Sequence, residues 1–92
     1  MSEHSRFHLI QMETALRRRG LADIVMDDDG GADLWLDVET PDHLLVVRWL
    51  EDGFEVDVSD LQGNVEFQIQ KAASVEAVLG ILVDKKIVSD AQ

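Results

Sequence analysis

Two histidines, His4 and His8, stand four residues apart, a spacing that on a helix aims both imidazoles one way and can chelate a metal ion. Such a site needs a third ligand, and the residues around them are Ser5, Arg6 and Phe7, so solvated surface histidines are expected. His43 follows Asp42 in a turn-like stretch, the arrangement of a general base steadied by a carboxylate. A turn histidine beside an aspartate is common without catalysis, and none is expected here. The run Asp27-Asp28-Asp29-Gly30-Gly31-Ala32-Asp33 has the acidity of a calcium loop. Counted from Asp27, the position that an EF-hand reserves for glycine holds Ala32, and the position reserved for glutamate holds Val38. An acidic hairpin tip is expected instead, with no more than weak, fast divalent binding.

Other chemistry is excluded more simply. There is no cysteine, so disulfides, thiolate zinc sites and cysteine nucleophiles are ruled out. Gly30-Gly31 precedes a strand pattern, whereas a phosphate-cradling loop would lead into a helix. Carboxylate pairs occur, but acid–base work needs a concave pocket that shuts out water. A chain of 92 residues that commits its apolar side chains to one sheet face has little material for one. The expectation is a protein that is not an enzyme and takes no cofactor or metal.

Residues 1–92 suffice for one acidic domain, and the 46% apolar fraction can fill its core. With no basic apolar leader and no long apolar run, a soluble, cytoplasmic protein with no membrane contact is expected. The net charge of -11 is unevenly placed. Residues 20–70 carry fourteen carboxylates against the single cation Arg48, while the segment before them is slightly basic and the segment after them is neutral. Binding of nucleic acid or anionic lipid through this middle region is opposed by repulsion, and a basic partner is attracted.

The element pattern predicts an α+β fold. Leu9, Met12 and Leu16 repeat at helical spacing over about Ser5 to Arg19, and Gly20 is placed for a left-handed C-cap with Leu21 folding back on Leu16. The period then changes to two, predicting an antiparallel meander of about five strands at 21–27, 33–39, 43–51, 54–59 and 65–70. Ser74 is the expected cap of a second helix from about residue 74, with Val75, Val78, Leu79 and Leu82 as its buried stripe. Ile87 and Val88 fit either an extension of that helix or a short edge strand.

A type I′ turn at Asp52-Gly53 would pair Glu51 with Phe54, Trp49 with Val56 and Val47 with Val58. The loop Thr40 to His43 would pair Glu39 with Leu44 and Leu36 with Val47, because a shorter loop would bury Asp37. One face then holds the core, and the other holds Asp33, Trp35, Asp37, Glu39, Leu44, Val46, Arg48, Leu50, Glu55, Asp57 and, on the last strand, Glu66. In this register Trp35, Arg48 and Asp57 share a cross-strand row, which offers Arg48 a ring on one side and a carboxylate on the other. Trp35 is then either a brace that shields Arg48 or an aromatic anchor for a partner. The arrangement of the helices decides how much of this face is open: both can cover the core face, both can cover this face instead, or one can cover each.

These residues point to a protein-binding module. Fixed carboxylates around Trp35 and an aliphatic strip can imitate the closely spaced charges of a nucleic-acid backbone. The module would act as an inhibitor or regulator docked on a basic surface of a nucleic-acid-binding protein, without binding nucleic acid itself. A dimeric chaperone or adaptor holding a partner peptide is the alternative, as is a structural or accessory protein. Secretion chaperones share small size, acidity and a mixed helix–sheet make-up, but their element order differs.

Overall fold

The computed structural model describes residues 2–30 and 33–89, with side chains from Ser5 onward. The side chain of His4 and the Gly31-Ala32 part of the Asp-rich loop lie outside the described residues. The chain runs α1 (Ser2–Arg18), β1 (Asp23–Asp28), β2 (Leu34–Glu39), β3 (His43–Leu50), β4 (Gly53–Asp60), β5 (Val65–Ala72) and α2 (Val75–Asp84). The strands form one antiparallel sheet in the order β1-β2-β3-β4-β5, so the expected α+β meander is present. Strand ends differ from the pattern by one or two residues, most at β1, which begins at Asp23, and at β5, which runs on to Ala72.

Helix α1 buries Leu9, Met12 and Leu16 completely, one stripe against β2 and β3. It ends as expected from Gly20: φ there is 93°, the Gly20 amide donates to the Arg17 carbonyl, and the Leu21 amide donates to the Leu16 carbonyl. These are the two hydrogen bonds of a Schellman motif. Arg17 then fixes the exit of the chain. It pairs with Glu13 at 2.8 Å and donates to the carbonyls of Ala22 and Ile24, tying the helix end to the first strand.

Helix α2 starts at Ser74, whose hydroxyl accepts from the Ala77 amide at 3.1 Å, and packs Val78, Leu79 and Leu82 into the same core beside β5. It also ends in a Schellman pair, with Lys86 at φ 64° in the place usually taken by glycine. Ile87 and Val88 neither extend the helix nor form a strand. They turn back so that Val88 is buried in the core. Both helices therefore lie on the face lined by Leu36, Val38, Leu45, Val47, Phe54, Val56 and Val58, and neither is long and apolar enough to cross a membrane.

The β2–β3 register is the expected one, with Glu39 opposite Leu44 and Leu36 opposite Val47. The β3–β4 register differs. Leu50 faces Gly53, Trp49 faces Phe54, Val47 faces Val56 and Leu45 faces Val58, so the two-residue turn is Glu51-Asp52. The slip is two residues, which keeps every side chain on its expected face. The neighbouring strand β5 fits this register. Lys71 adopts φ 58° in a bulge opposite Glu55, which brings the β5 backbone against Gly53. A Cβ at Gly53 would stand 3.0 Å from the Ala72 carbonyl oxygen and from two backbone atoms of Lys71. Gly53 serves this close approach inside β4, without the positive φ that a type I′ turn requires.

Candidate functional site

The face opposite the helices is built by alternation. In one row Val25, Asp37, Val46, Asp57 and Gln68 lie side by side across all five strands. In the next, Asp27 faces Trp35 and Arg48 faces Glu55, with the Arg48 guanidinium lying over the Trp35 ring. A third row holds Asp23, Glu39, Leu44 and Ser59. Strand β3 therefore contributes an axis of Leu44, Val46, Arg48 and Leu50. Asp37 and Glu39 flank it on β2, and Glu55 and Asp57 flank it on β4. Among the described residues no helix packs over this surface; Trp35, Asp37, Leu44, Val46, Arg48, Glu55 and Asp57 are half-buried, and Val25, Glu39 and Leu50 are exposed.

The row geometry corrects one expectation. Arg48 stands directly opposite Glu55 and reaches Asp57 diagonally, with Nη1 4.0 Å from Oδ2. The slipped hairpin accounts for this. The guanidinium carbon of Arg48 lies 5.6 Å from the centre of the Trp35 ring, and the Trp35 indole N–H donates to Asp37 Oδ2 at 3.2 Å. Gln68 donates to Asp57 Oδ1 at 2.9 Å. A polar chain thus runs Asp37–Trp35–Arg48–Asp57–Gln68 across four strands. It holds the carboxylates in place while leaving Arg48 and Asp57 side chains 43% and 37% exposed.

Of the sequence-derived residues, Trp35, Asp37, Glu39, Leu44, Val46, Arg48, Leu50, Glu55 and Asp57 share this face. Asp33 is exposed one residue before β2, at its rim. Glu66 lies apart. It sits at a second bulge, between the Val58–Phe67 and Ser59–Val65 pairs, and its Oε1 is 3.1 Å from His43 Nε2. Three residues of β1 were missed: Asp23, Val25 and Asp27. Their alternation with Ile24 and Met26 was visible, and extending the register one strand further would have found them.

The other chemically suggestive groups have structural partners. His8 is packed against a ring of the core face, correcting the expectation of a solvated histidine: it stacks on Trp49 with centroids 3.6 Å apart. His43 meets Glu66, while the turn itself is organised by Thr40, whose hydroxyl accepts from the amides of Asp42 and His43. In the acidic loop Asp27 accepts from the Asp28 amide and Asp28 from the Gly30 amide, so side chains cap backbone there. Among the described residues no three His, Asp or Glu converge as metal ligands. Asp60 closes the β4–β5 loop. Hydrogen bonds from the backbone and side chain of Asn64, aided by the Gln62 and Gly63 amides, outweigh a small opposing effect of burial and hold its pKa below the ordinary aspartate value.

A cleft of about 560 Å³ separates α1 from the start of α2, lined by His8, Thr14, Arg18, Phe54, Ser74 and Glu76 among others. Its serine already caps α2. The acidic sheet face is therefore the surface that the topology leaves open with a defined pattern of charge. No family model, curated protein or solved structure matches this chain, so the reading of that face rests on its own geometry.

Proposed function

We propose that this protein is a docking module that occupies a basic surface of a nucleic-acid-binding protein in the cytoplasm, acting as an inhibitor or regulator without catalysis. The observation that carries the reading is the uncovered face, where acidic columns on β2 and β4 flank an apolar axis on β3. Alternate residues on a strand stand about 7 Å apart, so each column presents regularly spaced negative charge. Attraction to a basic site speeds encounter, and Leu44, Val46 and Leu50 supply short-range contact once charges have met. Repulsion keeps nucleic acid and anionic membranes off the same surface.

The test uses the full chain as bait in extract from its native cell, beside a variant with Asp37→Asn, Glu39→Gln, Glu55→Gln and Asp57→Asn. Nucleic-acid-binding proteins retained by the wild type, lost from the variant and displaced by added DNA or RNA fit the proposal. Retention that survives both the four changes and high salt supports a chaperone or adaptor held by apolar contact. The exposed side chains of Phe7 and Ile10 on α1 are where such contact would begin.

A further inference from the structure

We infer that the segment received by this face is a cationic amphipathic α-helix laid along β3. The inference rests on the docking reading above and specifies the shape of the partner. Neighbouring strands lie roughly 4.8 Å apart, which puts the acidic columns on β2 and β4 roughly 10 Å from each other. That separation matches the diameter of an α-helix with its side chains, about 10–12 Å. Along the axis, Leu44 and Val46 are two residues apart on one strand, about 7 Å, and helix residues four apart rise by about 6 Å. An apolar stripe on the helix can therefore sit on Leu44 and Val46, while Lys or Arg on its two flanks reach Asp37 and Glu39 on one side and Glu55 and Asp57 on the other.

Charge and shape exclude the rival occupants. A bare polybasic strand would satisfy the carboxylates but leave the apolar axis wet. Face-to-face pairing of two copies would oppose acidic columns to acidic columns. The cationic helix of a second copy, α1 with Arg17 and Arg18, lies on the far side of its own sheet. Its docking here would build open head-to-tail chains against a net charge of -11 per copy. Arg48, between Val46 and Leu50 on the axis and already facing Trp35 and Asp57, disfavours a cation over that position.

The probe is a synthetic Leu/Lys peptide patterned as an amphipathic helix, titrated into the full-length protein at physiological salt. Its controls are a scrambled peptide of the same composition and an oligoarginine of equal charge. The patterned peptide is expected to bind at least about tenfold tighter than either control, and to become helical on binding. Its amide shift changes should centre on Leu44, Val46 and Leu50. Val46→Thr, which keeps strand preference, should erase most of the discrimination, with circular dichroism showing that the variant remains folded. Equal binding of the patterned and scrambled peptides, abolished by neutralising Asp37, Glu39, Glu55 and Asp57, overturns the helix inference and leaves the docking reading standing. Binding of no cationic probe to this face overturns both. Self-association that Val46→Thr removes also overturns the inference, in favour of a second copy.

Discussion

The imidazole of His8 stacks on the indole of Trp49, centroids 3.6 Å apart and planes within 15°, and Phe54 meets both rings edge-on. This joins the first turns of α1 to the β3–β4 hairpin, two segments far apart in the chain. Ring pairs of this kind contribute about 0.5–1.5 kcal/mol beyond their buried area. His8→Ala should therefore destabilise the fold by roughly 1–2 kcal/mol in urea titrations followed by circular dichroism. His8→Phe should recover most of the loss. A cost within the scatter of surface substitutions would show that the stack contributes nothing.

What could be read from the chain is what local rules encode. Leu34, Leu36 and Val38 alternate with Trp35 and Asp37, and this set the face of β2. Gly20 marked the end of α1. Both features depend on neighbours within a few residues. Gly53 was legible as a special position and was given the wrong reason, because the backbone of Lys71 and Ala72 that crowds it arrives from another strand. The two lysines at positive φ carried no signal, since lysine has no preference for that conformation. His8 looked solvated because its partner ring is forty-one positions away. The candidate face was legible on β2, β3 and β4, because the β2–β3 register is as expected and the two-residue slip between β3 and β4 leaves every side chain on its face. It was incomplete on β1, and Glu66 was misplaced because a bulge breaks the alternation of β5.

Gly53→Ala tests the account of the hairpin. The new methyl would meet the backbone of Lys71 and Ala72 at 3.0 Å, tighter than ordinary van der Waals contact, so that backbone must shift to admit it. A loss of about 1–3 kcal/mol is expected, as for overpacking elsewhere. Asp52→Ala, in the exposed turn beside it, should stay within about 0.5 kcal/mol. Equal effects of the two changes in denaturant titrations would return the strain to the turn.

Lys86 closes α2 in a conformation that costs residues with a Cβ about 1–2 kcal/mol. Replacing it with glycine removes that cost but adds chain entropy to the unfolded state, for a net gain of roughly 0.5–1 kcal/mol. A domain of this size should then melt a few degrees higher. Lys86→Val should melt lower than wild type. A fall in melting temperature for the glycine variant would show that the lysine side chain contributes more than its backbone strain removes.

Trp35 and Arg48 allow the brace and anchor roles of the tryptophan to be separated. A double-mutant cycle of Trp35→Ala with Arg48→Ala should give a folding coupling of about 0.5–1 kcal/mol, the size of an exposed cation–π contact. In binding to a partner or to the cationic helical peptide, Trp35→Ala should cost more than it does in folding. Equal losses would confine Trp35 to bracing the sheet.

Asp60 makes stability depend on acidity in a defined direction. Its folded-state pKa lies below 3.8, the ordinary aspartate value, because Asn64 and the loop amides hydrogen-bond the carboxylate form. A lowered pKa contributes stability that is present above the unfolded value and is lost as pH falls through the folded one. Asp60→Asn keeps an acceptor oxygen and removes the charge, so the variant should be less stable than wild type at neutral pH. The difference should narrow once pH drops below 3.8, as the wild-type carboxyl takes up its proton. Urea titrations of both proteins across that range measure the gap directly. A gap that stays constant through the acid limb would show that the loop responds to the shape of the side chain and not to its charge.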